Sequence, residues 1–205
     1  MAVAKQNSAN VSHRRSGTRR DREKDQRVLR TRARIDAAFV ELLHRRPYGD
    51  IRIGDITKKA GLGRATFYAH YSDKDDLLRS QFERIVAPML IAVPDNPSLL
   101  DATPFFAHIR SAPQLYRALM GPNGGSAPRV LRDCFEIRAR KALSLDQSDN
   151  PGLKQFAATR FVASSLVTIV ECWLEHGGRE TPQQVQALFS KLVSPGLRAY
   201  TTVAI

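Results

Sequence analysis

The stretch AGLGRATFYAHYSDKDDLL, residues Ala60–Leu78, places three aromatic side chains within five residues and surrounds them with cationic ones. Phe67, Tyr68 and Tyr71 belong to residue types that usually lie largely inside a protein. Arg64 and Lys74, in contrast, need water or an anionic partner. Two glycines separated by one residue precede this cluster. A segment that is both apolar and cationic must pack inward on one side and face a charged ligand on the other.

The residues on either side of the glycines predict two short helices joined by a tight turn. Ile53, Ile56 and Ala60 fall on one side of a helix, and Gly61 stands where a left-handed residue commonly follows a helix. A second helix is predicted over Arg64–Tyr71. Two short helices joined by a glycine-containing turn form a helix-turn-helix, whose second helix lies in the major groove of DNA.

Further helices are predicted before and after this pair. The apolar spacing over residues 29–43 predicts an amphipathic helix with Thr31 as its N-cap, although the helix has room to begin a turn earlier. Ser72 is the predicted N-cap of the helix that follows the pair, with Asp75 completing a capping box. Pro88 is expected to bend or end that helix.

A helix as short as Arg64–Tyr71 is marginal alone, so its neighbours must hold it in place. We expect Phe67 to pack inward on the first two helices and Tyr71 to close the far end. The remaining side chains are of types that suit base edges, thymine methyl groups and phosphates. These outward residues are Arg64, Ala65, Thr66, Tyr68 and His70.

The positive charge of the chain is concentrated near its N-terminus. The 205 residues carry a formal net charge of +12, and residues 1–34 hold 11 Lys and Arg against 3 Asp and Glu. Residues 81–205 hold 13 against 10. This asymmetry points to a polyanionic partner, either nucleic acid or an anionic membrane. Residues 1–27 have few bulky apolar side chains and are expected to form a basic, disordered tail, either passive or in contact with DNA.

The remainder of the chain is helical in pattern, without strand-like alternation. Helices are predicted over Asp101–Arg110, Pro113–Met120 and roughly residues 129–145, then from about residue 153 to His176. A last helix starts at Thr181-Pro182 and is interrupted by Pro195-Gly196. The fold class is therefore all-α. We divide the chain into a tail at 1–27, a helix-turn-helix domain at 28–80 and a second helical domain at 81–205.

The sequence also bears on location and chemistry. Its beginning lacks a signal-peptide core, no run reaches the length of a membrane span, and two cysteines do not make a disulfide framework. We therefore expect a reduced, cytoplasmic protein without a membrane partner. The five histidines show no ligand spacing, and GPNGGSAPR lacks the lysine of a phosphate loop. We expect no enzyme, no metal site and no cofactor.

The chain resembles the TetR family of transcriptional regulators over about 50 residues. The resemblance lies in TRARIDAAFVELL and DITKKAGLGRATFYAHYSDKDDLL, at positions that include Gly61, Thr66, Tyr68 and Lys74. Arg52 stands where the family usually has a threonine cap, and Tyr71 where it has phenylalanine. The candidate DNA-contacting residues are Thr31, Arg32, Arg52, Gly63, Arg64, Ala65, Thr66, Tyr68, His70, Tyr71 and Lys74.

The resemblance implies a homodimer on a pseudo-palindromic double-stranded operator, in most cases as a repressor. It also implies that the last two helices form the dimer interface and that the middle helices enclose a small-molecule effector. The candidate interface residues are Leu166, Ile169, Val170, Trp173, Val185, Leu188, Phe189 and Leu192. The candidate pocket residues, which mix aromatic and polar types as ligand cavities do, are Phe105, His108, Tyr116, Met120, Phe135, Arg138, Arg160, Phe161, Ser165 and Thr168.

Two of these pocket residues are arginines among apolar neighbours, and such arginines need a partner. If neither Glu136 nor Glu171 supplies it, an anionic effector would. A second function stays open: a helix-turn-helix adaptor that acts through protein contacts and uses no effector. Sequence-blind DNA binding that disappears by physiological salt would favour the adaptor.

Overall fold

A computed structural model describes residues 19–92, 100–142 and 152–202. The described chain is helical apart from a two-stranded antiparallel pair, β1 (Ile91–Ala92) and β2 (Leu100–Asp101), in which Ile91 is paired with Asp101. The strands are too short for an alternating pattern to reveal them in the sequence. The all-α prediction is confirmed.

The N-terminal helices are α1 (Arg19–Leu43), α2 (Ile53–Ala60), α3 (Arg64–Tyr68) and α4 (Lys74–Gln81). A 3-10 turn at Tyr48–Asp50 precedes α2. A π-helical stretch at Phe82–Val86 and a 3-10 turn at Ala87–Met89 continue α4. The remaining helices are α5 (Thr103–Ser111), α6 (Pro113–Met120), α7 (Ala127–Ala142), α8 (Leu153–Glu175) and α9 (Pro182–Thr202).

The first helix begins earlier than the sequence predicted. Residues 19–27, assigned to the tail, lie in α1, because Arg, Lys, Glu and Gln are good helix formers even without an apolar stripe. Thr31 is consequently inside the helix, where its hydroxyl donates to the carbonyl of Arg27 at 2.9 Å and caps nothing. Residues 1–18 and the predicted helix end near residue 145 lie outside the described residues.

Two further helix boundaries differ from prediction. The N-cap of α4 is Asp73, whose carboxylate accepts from the N–H of Asp76 at 2.7 Å, whereas Ser72 lies one residue earlier. The last helix is continuous through Pro195. Pro195 and Lys191, four residues before it, are both exposed, so the carbonyl that proline leaves without a donor is on the solvent side.

One apolar core runs through the whole described molecule. Phe39, Ile56 and Phe67 are fully buried beneath α1–α4, and the same cluster continues through Phe105 and Val170 in the later helices. The boundary predicted at residues 80 and 81 falls inside this core. Helix α8 is long and apolar enough to cross a membrane by composition alone, but 50% of that window is buried inside the fold, as in the core helix of a soluble protein.

A polar junction joins the N-terminal helices to the loop between α6 and α7. Asp75 accepts hydrogen bonds from the Tyr48 hydroxyl at 2.5 Å, from Ser126 Oγ at 2.6 Å and from Arg129 at 3.2 Å. Burial alone would raise the pKa of Asp75, but the hydrogen bonds from Ser126 and Tyr48, together with the charges of Arg129 and Lys74, lower that pKa. The carboxylate is thus held in its charged form at the junction.

Close backbone packing accompanies this junction. The N–H of Gly49 donates to the carbonyl oxygen of Asn123 at 2.9 Å. A Cβ on Gly49 would lie 2.6 Å from that same oxygen, and one on Gly124 would lie 2.2 Å from the carbonyl oxygen of Leu119. Only glycine at position 49 allows the turn before α2 to approach Asn123 this closely, and only glycine at position 124 allows the loop to fold back on Leu119.

Candidate nucleic-acid interface

The turn between α2 and α3 is built by backbone hydrogen bonds. Gly61 is left-handed at φ 63°, its N–H donates to the carbonyl of Lys58, and the N–H of Leu62 donates to that of Thr57 at 2.9 Å. This pair of bonds is the Schellman motif. Arg34 of α1 satisfies the carbonyl oxygens of Ala60 and Gly61 at 2.7 and 3.1 Å, so α1 fixes where α2 ends.

The start of α2 is capped from within the helix. The carboxylate of Asp55 accepts from the N–H of Arg52 at 2.8 Å, and this bond lowers the pKa of Asp55. A guanidinium has no acceptor, so Arg52 cannot cap with its side chain. That side chain is exposed on the outside of the turn.

Helix α3 is shorter than the predicted Arg64–Tyr71 because the chain tightens after Tyr68. The N–H groups of His70 and Tyr71 both donate to the carbonyl of Phe67, at 2.9 and 3.0 Å. Phe67 is fully buried, and its ring centroid lies 5.7 Å from those of Tyr68 and Tyr71. The helix is therefore anchored through Phe67, as the sequence predicted.

Tyr71, a candidate DNA contact, is only 3% exposed and points inward. Its hydroxyl donates to Asp36 Oδ1 at 2.9 Å and accepts from Arg32 Nε at 3.4 Å. The Arg32 guanidinium lies 5.4 Å from the centre of the Tyr71 ring. Tyr71 thus supports α3 from behind, and Arg32 is the exposed member of the pair.

Lys74 was predicted to contact DNA but has partners inside the protein. Its Nζ donates to the carbonyl oxygens of Tyr48 and Ile51 at 2.6 and 2.7 Å and lies 4.0 Å from the centre of the Tyr48 ring. Burial lowers the Lys74 pKa. Two of its three donors are already used, so Lys74 chiefly holds the segment before α2 against α4.

The outward face of α3 matches the prediction in position. Arg64 and Ala65 are exposed, Thr66 and His70 are half-buried, and the Tyr68 side chain is 55% exposed. A Cβ on Gly54 would lie 3.2 Å from the Arg64 guanidinium, so this cation rests against α2. Gly63 is exposed at the N-terminus of α3 with open space beside it.

Several structural contacts of this face were missed from the sequence. Arg34 bonds to the end of α2, and Asp36 bonds to Tyr71 behind α3. Tyr48 holds the segment before α2 against α4. For Arg34 no local signal exists, because its acceptors are carbonyl groups of another helix. For Asp36 a local signal does exist, because a carboxylate directly after the buried Ile35 needs a hydrogen-bond donor.

The candidate pocket residues separate into several places. Phe105, His108 and Tyr116 line a cavity of about 60 Å³ below α4, and Phe135 packs behind Phe105 with ring centres 5.4 Å apart. Met120 lines another pocket of about 280 Å³. Arg138 donates to the carbonyl of Ala87 at 2.6 Å.

The remaining pocket candidates are on the outer side of α8. Arg160 pairs with Glu136 at 3.2 Å, which removes the sequence argument for an anionic effector at Arg160. Phe161 is 46% exposed, Thr168 is exposed and Ser165 is half-buried. These side chains lie one to two turns apart on the outward side of the helix, away from the cavity.

The candidate interface residues fall into a buried group and an exposed group. Most of them are buried within the subunit, because the broad apolar face of α8 packs on α7 and α9. Leu188 and Leu192 are 49% and 59% exposed. The residues buried in the subunit are Leu166, Ile169, Val170, Trp173, Val185 and Phe189.

Residues 35–80, which contain α2, α3 and the helices that hold them, match the family described as bacterial regulatory proteins, tetR family. Over these residues the chain is similar to the TetR family. The match is to regulatory proteins and not to a family of enzymes. Among the described residues no group of three or more His, Cys, Asp or Glu side chains is placed to hold a metal ion.

A curated regulator is also similar to this chain. The chain is 29% identical over 173 residues to the uncharacterized HTH-type transcriptional regulator YxbF of Bacillus subtilis strain 168. That alignment covers 80% of this chain but 45% of YxbF, so the chain spans about half the length of this curated relative.

Solved structures agree on the fold. A TetR transcriptional regulator from Streptococcus agalactiae 2603V superimposes with a TM-score of 0.60 at 21% identity, over 84% of this chain and 98% of the other. A TetR regulator from Rhodococcus sp. RHA1 does so with a TM-score of 0.54 at 17% identity, over 82% and 94%.

Proposed function

We propose that this protein is a dimeric, sequence-specific DNA-binding regulator that represses transcription and is released by a small-molecule effector. The observation that carries the proposal is the outward face of α3. Arg64, Ala65 and Tyr68 are exposed on a helix whose inward residues, Phe67 and Tyr71, are buried. A rigid helix that presents unpaired polar and aromatic groups is suited to the major groove.

Arg32 and Arg52 extend this face with exposed cations on either side of α3. We assign them to phosphates, which set register and orientation, and Arg64, Thr66 and Tyr68 to base edges, which supply sequence reading. Repression rests on the family resemblance alone, and so does the proposal that the protein acts in the cytoplasm. The effector is proposed to occupy the cavity that Phe105, His108 and Tyr116 line.

Selection from a random DNA duplex library at about 150 mM salt tests the proposal, since non-specific binding weakens steeply with salt. We expect enrichment of an inverted repeat, because two-fold symmetric subunits require two related half-sites. No enrichment by a folded, dimeric protein would contradict direct sequence reading. Weak binding that is blind to sequence and lost at this salt would instead favour the adaptor function.

The proposed dimer uses a continuous apolar stripe on α8 and α9. Leu188, Leu192 and Gly196 follow one another at four-residue spacing on α9, so they share one side of the helix. A Cβ on Gly196 would lie 3.6 Å from the Phe161 ring, which places the exposed Phe161 beside this stripe. Such an exposed apolar stripe is typical of an interaction surface.

Leu192→Glu is expected to raise the dimer dissociation constant at least a hundredfold. The two-fold axis would bury two unpaired carboxylates, and an uncompensated buried charge costs about 3–5 kcal/mol. Sedimentation velocity over a concentration series measures the effect. Leu29→Glu, at a leucine 64% exposed on α1, is the matched control and should leave the dimer intact. A dimer unchanged by Leu192→Glu would exclude this stripe from the interface.

A further inference from the structure

Among the described residues that line the cavity below α4, Gln81 carries a buried polar atom without a hydrogen-bond partner. The walls of this cavity are apolar side chains from α1, α4 and the π-helical stretch, and from α5, α6 and α7, together with Gln81, His108 and Tyr116. None of the described residues that line it has a charged side chain. The ligand that fits such walls is uncharged, because an ion would lose its hydration without gaining a counter-charge.

His108 and Tyr116 satisfy each other. Nδ1 of His108 lies 2.7 Å from the Tyr116 hydroxyl oxygen. Burial lowers the His108 pKa, so the ring is held neutral. This pair therefore presents a closed hydrogen bond to the cavity.

Gln81 is different. The residue is 7% exposed, and within the described parts of the chain its Nε2 has no hydrogen-bond partner. Its Oε1 accepts from Arg84 Nη2 at 2.7 Å. A guanidinium can only donate, so this bond fixes which end of the amide is oxygen and leaves the NH₂ group as the unpaired donor. A buried donor without an acceptor is unfavourable, and a ligand acceptor would relieve it.

We propose that Gln81 Nε2 is the recognition donor for an uncharged effector with an apolar body and one acceptor oxygen, such as a ketone, ether or ester. Gln81 also couples ligand binding in the cavity to the position of α3. This inference rests on the proposed function, since it takes the cavity as the effector site. It names the effector's chemical class and the route by which the effector acts.

A chain of contacts leads from Gln81 to the recognition helix. Arg84 Nη2 donates both to Gln81 Oε1 and to Asp36 Oδ2, at 2.7 and 2.8 Å. The other oxygen of Asp36 accepts from the Tyr71 hydroxyl at 2.9 Å. Tyr71 packs on Phe67, the buried anchor of α3. A change in the Gln81 amide therefore reaches α3 through the side chains of Arg84, Asp36 and Tyr71.

The helix at this point is π-helical and not α-helical. The π-helical stretch Phe82–Val86 follows Gln81 directly, and Phe82, Ile85 and Val86 line the cavity. In a π-turn each backbone hydrogen bond joins residues five apart, and in an α-turn it joins residues four apart. Such π-turns frequently lie at functional sites. A ligand that binds a different form of this stretch better than the π-helical one would shift the position of Arg84 relative to Asp36.

The first test uses two probes of nearly equal shape, cyclohexanone and methylenecyclohexane, on isotope-labelled protein without DNA. Cyclohexanone should move the NMR signal of the Gln81 side-chain amide, and methylenecyclohexane should leave it in place. Gln81→Met keeps the length of the side chain without the donor. In this variant the affinity ratio of ketone to hydrocarbon should fall roughly three- to tenfold.

Either of two results overturns the donor assignment: no saturable binding of the ketone, or an affinity ratio unchanged in Gln81→Met. The direct observation of the wild-type amide signal keeps the test valid if Gln81→Met does not fold. Because both readouts use the free protein, a failure of operator selection leaves them unaffected. The proposed function and this inference can therefore fail separately.

The second test addresses the route. Saturation with cyclohexanone should shift the backbone amide signals of Phe67 and Tyr71 in the wild type. Arg84→Met should retain ketone affinity within about threefold and lose those shifts, because the link from Gln81 to Asp36 is gone. Arg79→Met, at an exposed arginine on the same helix, is the matched control and should keep them. Equal shifts in Arg84→Met and wild type would overturn the route.

Discussion

Tyr68→Ala is expected to weaken binding to the selected operator by about a hundredfold or more. Tyr68 is the most exposed aromatic ring on α3, at 55%. One base contact is worth about 1–3 kcal/mol, and a symmetric dimer loses two of them. Fluorescence anisotropy with a labelled operator duplex at about 150 mM salt measures the change.

The fold should be nearly unaffected by this substitution. The Tyr68 ring contacts Phe67 edge-on, so we expect a loss of roughly 1 kcal/mol at most in the free energy of unfolding. The slope of affinity against salt should also be unchanged, because no phosphate contact is removed. Tyr68→Phe separates the hydroxyl from the ring. Wild-type affinity in Tyr68→Ala would contradict base reading by α3.

Phe67→Ala is expected to reduce the free energy of unfolding by about 3–5 kcal/mol. Phe67 is fully buried, and the other four side chains of α3 are not buried. Removing it leaves a cavity between α1, α2 and α3 that rigid neighbours cannot close. Urea denaturation of the purified protein, followed by circular dichroism, gives the change.

Phe67→Leu is the matched control, since it keeps most of the volume and should cost roughly 1–2 kcal/mol. Operator binding should fall in Phe67→Ala even under conditions where most molecules remain folded, because α3 loses its anchor. A stability loss below about 1 kcal/mol would show that α3 does not depend on this side chain.

The parts of the fold that the sequence predicted well are those set by local signals. Gly61 marked a left-handed residue that ends α2, and Pro113 marked the start of α6. Buried spacing in Ile53–Ala60 identified α2 because an amphipathic helix buries one side. The outward residues of α3 followed from excluding Phe67, whose type and position demanded the core.

The parts that were missed depend on distant partners. Tyr71 resembled an interface residue, but Asp36 and Arg32 of α1 turn it inward. Lys74 carried the charge expected of a phosphate contact, yet two backbone carbonyls hold its ammonium group. Neither set of partners is marked by local spacing, because both come from other segments of the chain.

The helices after α4 show the same limit. The apolar periodicity of α8 reports the side that packs within the subunit, so it selected Val170 and Trp173, which are buried. The outward side of α8 carries small and polar residues such as Ser165 and Thr168, which give no periodic signal. The cavity donor Gln81 was also missed, since an isolated glutamine in a helix usually faces water.

The close approach of Gly49 to Asn123 has a consequence for how this protein can be recombined with its relatives. A chimera that exchanges the N-terminal 80 residues would replace Gly49 and Asp75 but keep Asn123 and Ser126. Any residue larger than glycine at the first position would then collide with a carbonyl oxygen. Viable hybrids should therefore transplant the loop at residues 121–126 together with the N-terminal helices, so the exchangeable module is discontinuous along the chain.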